Sequence, residues 1–243
     1  MKTLGVIGGL GPMATAYFLE LVTMMTDASC DQEHMKVVIW SRPDTPDRTR
    51  FILGLSKEDP REVIVDSGRR LVSQGARCLA IPCITAHYFH DEIEKLIGYP
   101  VINLPAEVVS HLKTYGWNRI GIMATDGTIQ TGLFQRELEK QGMSAVVPSP
   151  ESQKKVMHLI YDDIKANKPI EMNLFREVVS ELKGHGAQVV VLGCTELSLI
   201  KQGRDLGMGI LDAMEVLART AIENCGAPLK KEYNCLITGQ EDF

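Results

Sequence analysis

Apolar residues along the chain fall into two alternating patterns. Some form short unbroken runs, which read as strands buried on both faces; others recur three and four positions apart, which reads as amphipathic helix. Residues 3–8 make the first run. A Gly-Gly-Leu-Gly-Pro turn follows, and residues 14–25 continue as a helix with Pro12 suited to its first turn. Residues 36–40 predict a second strand, and 41–59, with Pro43, Pro46 and Gly54, a long loop holding a short helical piece at most. A helix over 61–74 with Gly75 as its cap leads to a strand at 78–82, a helix at 86–97 and a short strand at 101–103. The order then repeats: helix 105–115, strand 119–123, helix 129–141, strand 145–147, helices 153–166 and 171–183, strands 189–193 and 208–211, and a closing helix at 213–224. Strands alternating with helices of this length predict parallel sheets in an α/β fold.

The repetition extends to particular residues. Gly75-Ala76 opens a segment that runs through an apolar strand to Cys83; Gly186-Ala187 opens another that runs to Cys194. Both follow an amphipathic helix, and both place a threonine just past the cysteine, at Thr85 and Thr195. Gly5-Val6-Ile7-Gly8 similarly matches Gly121-Ile122-Met123-Ala124. Either segment alone is an ordinary way to write a strand. Together they predict two similar, pseudo-symmetric half-domains, each a parallel sheet flanked by helices, with a cleft between them. The expected division is 1–103 with 213–243 for the first half and 104–212 for the second.

Charge and composition narrow the classes. The net charge is -5 with no basic stripe, which argues against nucleic-acid binding. No apolar run is long enough to span a bilayer, and Gly8, Gly9 and Gly11 break the first run where a signal sequence would continue, so a cytoplasmic protein is expected. The six cysteines form no C-x-x-C pair, and His34, His90, His111, His158 and His185 show no ligand spacing, so no metal is expected. Gly9-Leu10-Gly11-Pro12-Met13-Ala14 fits G-x-G-x-x-A after a strand, the pattern of a dinucleotide site. However, the second strand ends at Ser41, Arg42 and Pro43 rather than at an acid, and Pro12 removes an amide from the phosphate cradle. The glycines read better as a close approach of backbone to the cleft.

Candidate chemistry centres on Cys83 and Cys194. Both stand at carboxyl ends of strands, where open α/β sheets hold ligands, and both precede a predicted helix, whose amides can lower a thiol pKa. Two thiols facing across a small ligand suit one reaction class, the transfer of a proton from one face of a carbon to the other. One sulfur, as thiolate, takes the α-proton; the other, as thiol, delivers a proton to the opposite face; no cofactor takes part. Threonine hydroxyls and backbone amides nearby suit an α-carboxylate. His87 reads as either a thiolate partner or a structural residue of the helix start, and Glu196 as a substrate-binding contact to the ammonium group, a contact tuning Cys194, or a first-turn acid. Cys30, Cys78, Cys225 and Cys235 lack the turn-plus-threonine context and read as structural.

With these residues in view, the chain resembles the aspartate/glutamate racemase family of cofactor-independent two-cysteine enzymes, the aspartate racemase branch above all. The resemblance rests on Gly8-Gly9-Leu10-Gly11-Pro12, Pro46-Asp47-Arg48-Thr49, Pro82-Cys83-Ile84-Thr85-Ala86-His87, Ala124-Thr125-Asp126-Gly127-Thr128 and Gly193-Cys194-Thr195-Glu196, and covers essentially the whole chain. It implies that Cys83 and Cys194 are catalytic, that Thr85 and Thr195 hold the α-carboxylate, that Arg48 and Lys165 meet the side-chain carboxylate, and that Thr125 and Thr128 line the cleft. It also implies an acidic amino acid as substrate, aspartate before glutamate, and a homodimer. One position departs from the pattern: Ile84 stands where the family has an asparagine that hydrogen-bonds the substrate's polar end. Ile84 therefore leaves open a related enzyme, an isomerase or decarboxylase of another small carboxylic acid. A non-catalytic amino-acid-binding protein is the remaining alternative, against which both cysteines argue.

Overall fold

In a computed structural model, which describes residues 1–240, the buried runs assemble into two separate parallel sheets. The first has β1 (Leu4–Gly8) at its centre, flanked by β2 (Val37–Ser41) and β3 (Cys78–Ala80). The second has β4 (Arg119–Met123) between β5 (Ser144–Val146) and β6 (Val189–Leu192), with β7 (Ile210–Asp212) beyond β6. The orders β2-β1-β3 and β5-β4-β6-β7 superimpose as a repeat. The missing seventh partner is nearly there: Val101 pairs with Leu79 through a single parallel bridge, and Ile102 N–H donates to the Leu79 carbonyl at 2.9 Å. The strand expected at 101–103 is thus one bridge long, because Pro100 and Asn103 bracket it and Asn103 already caps the next helix.

Alternation along the strands sorts the core into three parts. Leu4 and Val6 of β1, Cys78 and Ala80 of β3, Ile120 and Ile122 of β4, and Val189 and Val191 of β6 share one apolar cluster that joins the two halves. Ile7 and Leu79 face outward to a cluster of the first half alone, and Val190 and Leu192 to a cluster of the second. The joining cluster is covered by α1 (Pro12–Met25), α5 (Leu104–Lys113) and α10 (Ala213–Cys225). α10 leaves the second sheet and packs against α1 and β3 of the first half; α5 leaves the first and packs against α7 (Leu133–Lys140) of the second, and α5 and α10 pack against each other. Chain passes between the halves twice. Of the segment 213–243 assigned from sequence to the first half, residues 241–243 lie outside the described residues.

Side-chain caps mark several helix starts around the cleft. Asp47 accepts from Arg50 N–H ahead of α2 (Arg48–Ile52), Thr125 from Thr128 N–H ahead of α6 (Asp126–Gln130), and Asp212 from Met214 N–H ahead of α10. Three expectations differ. The helix expected over 129–141 is two helices, α6 and α7, because Gly132 between them adopts φ +64°. The helix expected over 86–97 begins as a 3₁₀ turn, Ile84–Phe89, before α4 (His90–Ile97). The helix expected over 153–166 is α8 (Pro150–His158) followed by a wide π turn, Leu159–Ile164.

Candidate active site

β3 ends three residues before Cys83, whose own N–H turns back to the Ile81 carbonyl at 2.7 Å. The side chain is buried with 5% exposure. His87, one turn on, places Nδ1 2.9 Å from the Cys83 carbonyl and Nε2 3.1 Å from the Ile102 carbonyl. Burial lowers its pKa to about 4, so the ring is neutral at physiological pH. It touches the Cys83 backbone rather than the sulfur, which makes it a structural residue. The group that does face the Cys83 sulfur is Arg48. Its guanidinium is anchored by backbone carbonyls, Nη2 donating to Leu10 at 2.6 Å and Nη1 to Pro46 at 3.0 Å. Burial alone would lower the Arg48 pKa; the Cys83 sulfur and the Asp47 carboxylate outweigh it and keep the pKa above the usual value.

Cys194 lies beyond β6 and is equally buried, yet its neighbour is an anion. The thiol donates to Glu196 Oε2 at 3.0 Å, and Glu196 Oε1 lies 2.7 Å from Lys165 Nζ. Burial would raise the Glu196 carboxyl, but the Lys165 ammonium and the hydrogen bond from the Cys194 thiol overcome it and hold it below the usual carboxylate range. Cys194 is pushed far up, first by burial and then by the Glu196 carboxylate. The lowered thiol expected from a helix start is therefore corrected at this position. No α-helix begins there: the chain makes a turn, Leu197 N–H to the Cys194 carbonyl at 2.9 Å, and then a 3₁₀ segment, Leu197–Lys201. The 3₁₀ turn after Cys83 likewise supplies no helix dipole of full length.

The threonines close the cleft from both sides. Thr85 Oγ1 of the first half lies 3.0 Å from Thr125 Oγ1 and 3.1 Å from Thr128 Oγ1 of the second. Thr195 Oγ1 donates to the Pro82 carbonyl at 3.1 Å, again across the halves. Gly127 allows this approach, since a Cβ there would stand 3.1 Å from the Thr49 Cα. Gly11 does the same at the other rim, where a Cβ would stand 2.8 Å from Glu196 Oε1. Ile84 is 1% exposed and its side chain belongs to the cluster joining the two halves.

Cys83, Cys194, Arg48, Ile84, Thr85, Thr125, Lys165, Thr195 and Glu196 all line one cavity, and Thr128 bonds into its wall. The enclosed space is about 10 Å³, room for one water. A larger space of about 440 Å³ adjoins it, and Leu10, Asp47, Arg48, Lys165 and Glu196 line both. Residue-by-residue reading missed Asp47 and Tyr161. The Tyr161 hydroxyl donates to Asp47 Oδ2 at 3.1 Å, tying the π turn of the second half to the α2 cap of the first. Burial keeps Tyr161 protonated, and its ring lies 5.5 Å from Lys165 Nζ. Both sit in motifs visible in the sequence, Pro46-Asp47-Arg48-Thr49 and Tyr161-Asp162-Asp163-Ile164, but neither has a chemical signature of its own.

Paired half-domains with a buried cysteine from each at one cleft define a recognisable class, and comparison with known proteins agrees. Residues 7–221 match the family model of Asp/Glu/hydantoin racemases, and the chain belongs to that family. Among solved structures it is similar to the aspartate racemase of Picrophilus torridus, with TM-score 0.82 and 30% identity, covering 96% of this chain and 98% of that one. The glutamate racemase of Francisella tularensis, solved with D-glutamate, shares the fold at TM-score 0.68 and 14% identity, covering 99% of this chain and 84% of that one. Among curated sequences, the broad specificity amino-acid racemase RacX of Bacillus subtilis is 24% identical over 230 residues, 90% of this chain and 96% of that protein.

Proposed function

We propose that the protein is an amino-acid racemase that interconverts the enantiomers of an acidic amino acid, aspartate before glutamate, by two-base proton transfer between Cys83 and Cys194 without a cofactor. The observation that carries this reading is the opposite polarity of the two sulfurs: a guanidinium faces Cys83, and a carboxylate accepts the proton of Cys194. In one direction Cys83, as thiolate, removes the α-proton, and the electron pair passes into the substrate carboxylate. Cys194 then delivers its proton to the opposite face and is left as thiolate, with Lys165 offsetting the charge beside Glu196. The other enantiomer runs the same steps backwards. Hydroxyls of Thr85, Thr125 and Thr128 rotate at little cost and suit the growing charge on the α-carboxylate. Arg48 and Lys165 suit a distal carboxylate. Since the enclosed space holds only about one water, substrate enters from the adjoining cavity as the wall of Arg48, Lys165 and Glu196 gives way.

Proton NMR in deuterated water with L- and D-aspartate and L- and D-glutamate tests this. Loss of the α-proton signal together with chiral inversion, the inversion abolished in Cys83→Ala and in Cys194→Ala, is the expected result. Absence of exchange with all four, from folded protein with reduced thiols, defeats the acidic-racemase reading. Ile84 favours one second reading, the same proton chemistry on a different small carboxylic acid, since its side chain offers no hydrogen bond to a polar substrate group. The protein works in the cytoplasm as a homodimer in this reading.

A further inference from the structure

The wide turn that carries Tyr161 and Lys165 to the cleft has a second cluster on its outer side. His158 Nε2, at the end of α8, lies 3.4 Å from Asp163 Oδ1 and 3.3 Å from Glu171 Oε1. One ligand atom from each of the three residues falls within 4.8 Å of the other two. Bonds of about 2.0–2.1 Å from zinc to nitrogen and oxygen place neighbouring ligand atoms of a tetrahedron about 3.4 Å apart. The two measured separations match that edge. The outer groups fit as well. His158 Nδ1 lies 3.2 Å from Asp162 Oδ2, the carboxylate–histidine arrangement that fixes the tautomer and orientation of a ligating imidazole. Asp163, only 4% exposed, is held by its other oxygen, Oδ2 accepting from Glu171 N–H at 2.9 Å.

Charge supplies an independent argument. Asp162, Asp163 and Glu171 converge on one imidazole, and among the described residues none of the three carboxylates forms an ion pair with a lysine or arginine. Even with the imidazole protonated, the cluster carries a surplus of two negative charges. A divalent cation replacing the shared proton halves that surplus to one. We propose that His158, Asp163 and Glu171 bind a divalent transition-metal cation of the zinc class, with a fourth position open to solvent. Bound there, the cation staples the end of α8, the turn Leu159–Ile164 and the start of α9 (Met172–Gly184), the platform from which Lys165 reaches Glu196. The site is independent of the substrate reading.

Calorimetric titration with Zn²⁺ tests it in full-length Cys83→Ala/Cys194→Ala protein, so that the cleft thiols do not compete. One equivalent should bind and raise Tm. Adding His158→Ala, at a residue 39% exposed on its side chain, should weaken binding more than about 100-fold, since losing even an outer partner costs 10–100-fold. Glu171→Gln should weaken it less. The Co²⁺-loaded protein should absorb as a tetrahedral nitrogen–oxygen site without a thiolate band. Absence of saturable binding, equal affinity in His158→Ala protein of unchanged Tm without metal, or a thiolate-to-cobalt band each overturns the proposal.

Discussion

The two halves repeat one scaffold and oppose one another in charge. In each, a helix followed by Gly-Ala feeds a buried strand, and the chain just beyond the strand carries a cysteine with a threonine one or two residues on. In the first half a cation, Arg48, lines the cavity with the cysteine, held by carbonyls of the glycine turn and the loop after β2. In the second it is an anion, two residues along the same turn. A repeated backbone thus delivers two sulfurs to one cleft, while non-repeated side chains place a guanidinium in the wall beside one and a carboxylate against the other. Symmetry supplies position, and departure from symmetry supplies polarity.

Replacing the sulfurs breaks the comparison most severely. Cys83→Ser and Cys194→Ser should each lower racemisation by about 10³-fold or more, the scale of a lost general acid or base. Each should still wash out the α-proton of one enantiomer in deuterated water, and the surviving enantiomer should differ between the two variants; NMR on the separate enantiomers reads this. Glu196→Gln should come next. Without the carboxylate the Cys194 thiol loses its second reason for being raised, so its proton is lost at lower pH. The alkaline limb of the pH–rate profile should then move to lower pH for the direction in which Cys194 is the acid, with about tenfold lower kcat. An equal shift in both directions would mean that the anion does not serve one sulfur in particular.

Ile84→Asn tests a smaller difference. The side chain sits in the apolar cluster shared by the halves, so an amide there should cost about 2–3 kcal/mol. Tm should fall by roughly 4–10 °C. If the amide reaches substrate, KM for aspartate should fall a few-fold in the same protein. The smallest effect is expected at the glycines of the rim. Gly11→Ala presses a methyl on Glu196 Oε1 and should lower kcat a few-fold with little change in Tm. Gly127→Ala meets the Thr49 backbone instead and should lower Tm more than kcat.

Much of this was legible in the sequence because it depends on local pattern. Period and punctuation placed nearly every strand, and the two Gly-Ala-to-cysteine segments pointed to the duplication. What escaped was geometry made by unusual turns. A helix written through 153–166 puts His158 and Asp163 on different faces, whereas a π turn, with its i to i+5 bonding, brings residues five apart together. For this reason the histidine spacing looked unrelated to metal. The raised thiol at Cys194 escaped for a similar reason. The helix expected after the strand is a 3₁₀ turn, and burial beside Glu196 outweighs whatever the backbone dipoles offer. Arg48 could be assigned to the cleft from its motif, but its anchoring to the Leu10 carbonyl, 38 positions earlier, has no signature in one dimension.

The exchange of closing helices bears on how the chain is made. Met214, Leu217, Ala218 and Ile222 of α10 belong to the same apolar cluster as Leu4, Val6 and Ala80 of the first sheet. As the polypeptide leaves the ribosome, β1, β2 and β3 therefore emerge long before α10, and their inner face, covered in part by α1, is not closed until residues 213–225 follow. The amino-terminal half is consequently an unfinished object until then, with apolar surface exposed of the kind that favours aggregation. Its covering helix is supplied only after every strand of the second sheet has been made.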